Sequence, residues 1–297
     1  MISVIIPSYN SWPLIERTLI SLEKQKYSGE YEVIVADSSD DGSHLEIAKN
    51  FPKINLLHKE RRDFPGAGRN RAIDASKGDI IAMIDADAEA SENWLDVIAK
   101  NIEREPDVAG FGGAVENARK ESTAAQVAHL LEFGGYTPNW KKRKVRMNPA
   151  CNLALRREVF DKVRFIEEWF GNEDVLLAKE IESMGKYIIF DPQMLVFHHT
   201  RDNWDAIYNH QYNLGRDTGR CRYRYDVPGS WLAHSAGASY LIPLIKYILL
   251  IRRVLGPDNE YSGVFFSATS KIMHALNLFA KGFRDGVRIE KSATKFS

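Results

Sequence analysis

The sequence predicts a doubly wound, mostly parallel α/β sheet with a helical C-terminal extension. Three observations point to it. Short apolar runs alternate with amphipathic stretches in the order strand, helix, strand, helix, strand. The 297 residues, 44% of them hydrophobic, are enough for one large domain with an appended subdomain. Beyond Thr200 the alternation gives way to amphipathic segments. The expected boundary divides an α/β domain, residues 1–220, from a helical extension, residues 221–297.

Residues 2–6 are a β-branched run closed by Pro7, as in a buried parallel strand that ends at a loop. Pro7-Ser8-Tyr9-Asn10 carries turn chemistry, and Leu14, Ile15, Thr18, Leu19 and Leu22 then repeat at helical spacing. Residues 31–36 form a second strand that ends in the polar loop Asp37-Ser38-Ser39-Asp40-Asp41-Gly42-Ser43. A helix around Ile47 and Ala48 and a strand over 54–57 follow. Pro65-Gly66-Ala67-Gly68-Arg69-Asn70 leads into a helix at 71–75, and its Gly-x-Gly suits either a phosphate cradle or a flexible turn.

Ile80 to Ile84 then runs straight into Asp85-Ala86-Asp87. A strand here delivers two acids to the carboxyl edge of the sheet, where open α/β folds bind ligands. Two acids beside an apolar run are unfavourable unless a cation or hydrogen bonds compensate them. The same pair also suits a capped turn before a helix. That helix is expected from Ser91 as N-cap, with Leu95, Ile98 and Ile102 on one face. Residues 108–115 read as a strand, and the pattern loosens over 116–148. The basic run at 141–146 reads as solvated surface. A strand entering a short helix follows from Cys151. Glu173-Asp174 opens a further helix, where the helix dipole alone favours acids. Two strands, 187–190 and 195–199, complete the domain, the second ending in His198 and His199.

In the last part of the chain, Arg216, Arg220, Arg222 and Arg224 cluster among tyrosines. Residues 241–251 are the most apolar stretch, about half of the ~20 residues a bilayer span requires, and Pro243 and Lys246 interrupt it. It suits an interfacial helix in peripheral membrane contact, or a core or homo-oligomer contact helix. Basic and acidic residues balance at 40 each, so no bulk attraction to nucleic acid is expected. The two cysteines, Cys151 and Cys221, are too few for a disulfide scaffold and lack metal-ligand spacing. With no charged n-region or cleavage site ahead of residue 2, a cytoplasmic setting is expected, with the inner face of the plasma membrane as the place of any membrane contact.

Five motifs in one order resemble family 2 glycosyltransferases of the GT-A fold. They are Val4-Ile5-Ile6-Pro7-Ser8-Tyr9-Asn10 with Glu16 after it, Val33-Ile34-Val35-Ala36-Asp37-Ser38-Ser39-Asp40, the segment from Gly68-Arg69-Asn70 to Ile84-Asp85-Ala86-Asp87, Asn172-Glu173-Asp174-Val175-Leu176-Leu177, and Val196-Phe197-His198. The resemblance covers roughly residues 2–220. It implies a metal-dependent, inverting transfer of one sugar from a nucleotide-diphospho sugar to a hydroxyl of a glycan or lipid-linked acceptor, in cell-envelope glycan synthesis. By that resemblance Asp87, supported by Asp85 and joined by His198, holds Mn²⁺ or Mg²⁺, with His199 the fallback. A divalent cation of this kind neutralises the leaving diphosphate as a Lewis acid. Asp37 would accept hydrogen bonds from the base, Pro7, Tyr9 and Glu16 would line its pocket, and Arg69 would approach the diphosphate or the sugar. Asp174 would take the acceptor proton, with Glu173 beside it in acceptor binding.

Two departures stand out. The acidic loop after Asp37 is not the commonest version of its motif. Gln211-Tyr212-Asn213-Leu214-Gly215-Arg216 lacks the Gln-x-x-Arg-Trp of processive relatives, which argues for single-sugar transfer. Two alternatives make different demands on the sequence. A nucleotidyltransferase would want a Gly-rich basic loop after the first strand, and Pro7-Ser8-Tyr9-Asn10 is not that. An inactive sugar-nucleotide-binding protein would not need Asp37, Asp85, Asp87, Glu173 and Asp174 together.

Overall fold

The computed structural model describes residues 1–169, 171–235 and 237–293. It divides into two compact units, one of residues 1–116, 136–169 and 173–199, the other of 117–135, 170–172 and 200–297.

The first unit is built on a mixed sheet, with nine strands among the described residues. In chain order its elements are β1 (Ile2–Ser8), α1 (Leu14–Glu23), β2 (Tyr31–Asp37), α2 (Ser43–Asn50), β3 (Asn55–His58), α3 (Pro65–Ala75), β4 (Ile80–Ile84), β5 (Ala88–Ala90), α4 (Trp94–Arg104) and β6 (Gly110–Asn117). After α5 (Thr123–Phe133), which belongs to the second unit, come β7 (Arg143–Val145), β8 (Asn152–Arg156), α6 (Arg157–Phe160), α7 (Glu173–Ser183) and β9 (Ile188–His198). The strand order is β3-β2-β1-β4-β8-β6-β9-β5, with β7 beside β9. β3, β2, β1 and β4 are mutually parallel, whereas β8 joins β4, and β5 and β7 join β9, antiparallel. The chain winds outward from β1 to β3 and then returns to place β4 on the other flank of β1. The carboxyl ends of β1 and β4 therefore flank the topological switch point, the crevice where such sheets bind ligands.

The doubly wound α/β architecture is thus as expected, and its local differences have physical causes. β1 continues through Pro7, beyond Ile5, its last residue paired with β4, so the missing N–H removes no bond on that side. The Gly-x-Gly segment is the first turn of α3 rather than a loop. Glycine is needed there because a Cβ at position 66 would collide with the Ile166 carbonyl and one at 68 would press on Pro7. The two strands expected at 187–190 and 195–199 are one, β9 (Ile188–His198), because Pro192 falls between the β7 and β5 pairings of β9. The middle of the basic run forms β7 and the run stays at the surface as expected: Lys141, Lys142, Lys144 and Arg146 are exposed, with Lys142 3.2 Å from Asp191, while half-buried Arg143 lies over the rings of Trp140 and Phe190. Ser91 contributes its backbone carbonyl to Trp94 N–H, and α4 begins at Trp94. Asn152, fully buried on β8, ties the sheet centre together by donating to the carbonyls of Ala114 and Met194 and accepting from Trp94 Nε1.

The second unit is helical. It contains α5, α8 (Trp204–Arg224), α9 (Trp231–His234), α10 (Ile242–Val254), α11 (Ser262–Ser267) and α12 (Thr269–Ala293). The boundary expected at 220/221 falls inside α8. α8 and α12 pack backbone to backbone: a Cβ at Gly215, Gly219, Gly282 or Gly286 would land on a carbonyl oxygen of the facing helix. The arginine cluster is largely absorbed here. Arg220 and Arg224 clamp the buried Glu290 at 2.7 and 2.8 Å, and Arg222 donates to the Pro228 carbonyl at 2.9 Å. α5, α10, α11 and α12 share an apolar core around Leu130, Leu250, Phe265 and Leu276. Among the described residues no helix is long and apolar enough to cross a membrane.

The α8–α12 contact generates a prediction. Gly219→Ala should destabilise the chain by about 1–3 kcal/mol in urea unfolding, because backbone must move to admit the methyl group. Gly263→Ala, where a Cβ meets nothing within 4 Å, should leave stability unchanged or raise it by about 0.4–1 kcal/mol.

Candidate active site

All the candidate site residues lie in the first unit. Its centre is Arg69, on α3, only 3% exposed. One guanidinium nitrogen donates to Asp85 Oδ1 at 2.7 Å and the other to Glu173 Oε1 at 2.7 Å. The end of β4 is thereby tied to the start of α7, Arg69 reaching Glu173 across 104 residues of chain. The α3 helix also fixes the approach to α7, since Asn70 donates to the Phe165 carbonyl and accepts from Phe165 N–H.

The Asp85-Ala86-Asp87 segment is held through its own carbonyls. Asp85 C=O accepts from Ala88 N–H, Ala86 C=O from Thr18 Oγ1 at 3.0 Å, and Asp87 C=O from His199 N–H at 2.8 Å. The two carboxylates, both half-buried, are thus left to side-chain partners, Asp85 to Arg69 and Asp87 to His198. The pairing of β5 with β9 settles the histidine register, because adjacent strand residues point to opposite faces. His198 Nε2 lies 3.2 Å from Asp87 Oδ1, whereas His199 Nε2 turns to Glu89 at 2.5 Å. Of the two histidines, His198 is the one that faces Asp87.

Cys151, just before β8, is a member that sequence reasoning missed. Its thiol, Asp85 and His198 offer ligand atoms all within 4.8 Å of one another. Burial, then the charges of Asp85 and Asp87, push the thiol well above its usual value. Only the long-range pairing of β8 with β4 could have revealed it. Asp85, Cys151 and His198 are close enough together to meet one ion, and Asp87 lies 3.2 Å from His198; carboxylate and imidazole groups are ligands that divalent cations take, so these residues fit a divalent cation.

Glu173 and Asp174 open α7. Burial raises the Glu173 carboxyl to about 7 against the pull of Arg69, and the neighbouring Asp174 charge adds to the rise. Burial also raises Asp174, with Arg69 and the Val175 N–H, which donates to its Oδ1 at 2.8 Å, pulling the other way.

The expected nucleotide pocket is arranged differently from its motif. Asp37 is completely buried. Its carboxylate accepts from Ser8 Oγ at 2.7 Å and from Ser39 N–H and Oγ at 3.0 and 2.7 Å, and His58 Nδ1 lies 2.9 Å from it. It thus joins the ends of β1, β2 and β3. His44 stacks on His58 with ring centroids 3.7 Å apart and planes 16° apart, an arrangement that cannot aim both rings at one ion. The solvent edge beside this hub is formed by Tyr9 and Asn10, both bonded to Asp40, with the Arg62 guanidinium 4.1 Å from the Tyr9 ring centroid. Pro7 is half-buried at the end of β1. Glu16, half-buried in the first turn of α1, joins none of these contacts.

The family model described as "Glycosyl transferase family 2" matches residues 3–164. The chain belongs to that family. This glycosyltransferase is 27% identical over 225 residues to glycosyltransferase AglE of Haloferax volcanii, a match that covers 72% of each chain. It is 20% identical over 192 residues to the GalNAc(5)-diNAcBac-PP-undecaprenol beta-1,3-glucosyltransferase of Campylobacter jejuni, covering 63% of this chain and 62% of that one. Among solved structures, the mannosyltransferase PcManGT from Pyrobaculum calidifontis, in complex with GDP-Man and Mn²⁺, matches with a TM-score of 0.64 at 19% identity, over 95% of this chain and 86% of that one. The fold is therefore GT-A.

Two outcomes follow from the Arg69 network. Arg69→Met should cost about 3–5 kcal/mol in unfolding free energy, because two inward-facing carboxylates lose their cation. Glu173 binds its proton more tightly folded than unfolded, so its contribution to stability is largest below its unfolded pKa and falls as pH rises toward about 7. Glu173→Gln should remove that slope, and urea midpoints should show the variant gaining on the wild type between about pH 5 and about pH 8.

Proposed function

We propose that this glycosyltransferase is metal-dependent and inverting, and that it moves a single sugar from a nucleotide-diphospho sugar to a hydroxyl of a glycan or lipid-linked acceptor. The observation that carries the reading is the convergence of Asp85, Asp87 and His198 with Arg69, Glu173 and Asp174 at one sheet edge. Two of the related proteins bear on the substrates: PcManGT was solved with GDP-Man and Mn²⁺, and the Campylobacter jejuni relative is named for an undecaprenol-linked glycan.

In this reading Asp87, Asp85 and His198 would hold the cation, which would supply Lewis-acid neutralisation of charge on the departing diphosphate. Asp174 takes the proton of the acceptor hydroxyl while that oxygen bonds to the anomeric carbon. The bond from that carbon to the diphosphate breaks, and its electron pair leaves with the nucleoside diphosphate. Glu173, fixed by Arg69, contacts the acceptor and sets the field around Asp174. Asp37 is a positioning residue whose hub orders the loops after β1 and β2. Tyr9, Asn10, Asp40 and Arg62 form the exposed edge that meets the base.

A donor panel assayed by nucleotide release with Mn²⁺, Mg²⁺ or chelator tests the metal dependence. Chelator should abolish release, and full activity in its presence would remove the cation from the reaction. Asp174→Asn should lower turnover by about 10²-fold or more while nucleotide affinity stays within a few-fold of wild type. Near-normal turnover would take Asp174 out of the mechanism.

A further inference from the structure

The helical unit carries an exposed apolar face that its own core leaves uncovered. On α10 and its flanks, Leu241, Leu244, Ile248, Leu249 and Leu255 are all exposed, the last at 70%. At 100° per residue they fall on one side of the helix, while Ile242, Leu250 and Val254 on the other side are buried. Residues 227–257 contain Lys246, Arg252 and Arg253 and no acidic residue. Lys246 lies over the Phe279 ring at 3.8 Å, and burial together with Arg222 and Arg253 lowers its pKa to about 7.

Tyr240, 67% exposed and next to Leu241, leads from this face into a cavity of about 390 Å³. Tyr223, His234, Arg284 and Lys291 also line it, and none of the described lining residues is acidic. The Arg284 guanidinium lies 4.5 Å from the Tyr240 ring centroid, and Tyr223 stacks on His234 at 5.1 Å. Trp231 adds a further exposed aromatic residue, 57% exposed, in the same unit. An apolar stripe, basic residues and amphipathic aromatic rings form the pattern of a helix that lies in the headgroup layer of a bilayer. At 13 residues, α10 is too short to cross one.

We infer that the helical unit docks on an anionic lipid surface through the exposed face of α10, with the pocket of Tyr240, Arg284 and Lys291 receiving a phosphate-bearing headgroup. A second copy of the chain is a poorer occupant, since a two-fold contact would set Arg252 and its basic neighbours against themselves. The arginines of α8 do not supply the attraction, as Glu290 and backbone carbonyls already hold Arg220, Arg222 and Arg224.

The test is flotation of the full chain, without substrates, on vesicles of phosphatidylcholine alone or mixed with phosphatidylglycerol. Its outcome does not depend on the catalytic reading, which nucleotide release measures separately. The chain should float with the anionic vesicles at low salt, about tenfold or more above neutral ones, and be released by high salt. Leu244→Glu combined with Ile248→Glu, both on exposed positions, should abolish flotation while leaving thermal unfolding unchanged. Arg284→Gln with Lys291→Gln should remove the preference for phosphatidylglycerol. Absence of flotation on anionic vesicles at low salt would overturn the inference, as would wild-type flotation by the Leu244→Glu, Ile248→Glu variant. A concentration-dependent dimer that this variant disperses, with no flotation, would assign the face to a second copy and overturn it equally.

Discussion

The buried guanidinium of Arg69 is the contact on which the site depends. A cation 3% exposed is tolerable only where carboxylates meet it directly, and here two do, one from β4 and one from α7. Its Nε has no partner among the described residues, so the group is held by its two outer nitrogens and by the Phe165 ring, 5.5 Å away. Because α3 enters at glycines 66 and 68, its backbone reaches β1 and the 165–167 segment closely enough for this span. A requirement for small residues in the first turn of one helix thus sets the geometry between two distant acidic motifs.

The same economy of contacts appears at the nucleotide end of the crevice. Asp37 gathers donors from the ends of three strands, and Arg71 reinforces the junction by donating to the carbonyls of Leu57 and Asp37. A carboxylate so occupied resists rearrangement, since each released donor would be left buried and unpaired. Rigid loops after β1 and β2 follow, with polar groups left only at their outer edge. At the acid loop the arrangement is reversed. There the backbone carbonyls are satisfied and the side chains are left toward the crevice, which suits residues that meet a changing substrate.

The parallel half of the sheet was legible because β1, β2 and β4 are buried on both faces and read as apolar runs punctuated by turns. The helix α5 was not. Nearly every residue from Ala124 to Leu131 is buried, so no polar stripe marks a period, and its sequence sign is Ser122, whose side chain accepts from Ala125 N–H. The acidic motifs were readable one at a time, each compatible with a helix cap or a strand end. What joins them is non-local: the contact of Arg69 with Glu173, the placement of Cys151 beside Asp85 by the β4–β8 register, and the choice of His198 over His199 by the β5–β9 register. Asp37 shows the converse limit. Its motif position was plain, but the Ser8, Ser39 and His58 contacts that bury it come from three separate strand ends.

The proposed cation requirement also has an electrostatic basis in the chain's own residues. Around one guanidinium stand Asp85, Glu173 and Asp174, with Asp87 two residues beyond Asp85, and a diphosphate would bring further negative charge to that edge. Coulomb repulsion at such distances amounts to about 1–4 kcal/mol per pair near a protein surface, more than Arg69 can offset while it is already shared between two carboxylates. Burial partly relieves the crowding by letting Glu173 keep a proton to about 7, but a protonated Glu173 still leaves Asp85 and Asp87 facing the donor. Under the proposed function, Asp87 and His198 would hold a cation whose charge would relieve this conflict, and Asp174 would be the carboxylate that accepts the proton. The raised proton affinity of Asp174 would favour that proposed role, because a partly desolvated base beside other acids gains more from neutralisation than one in water.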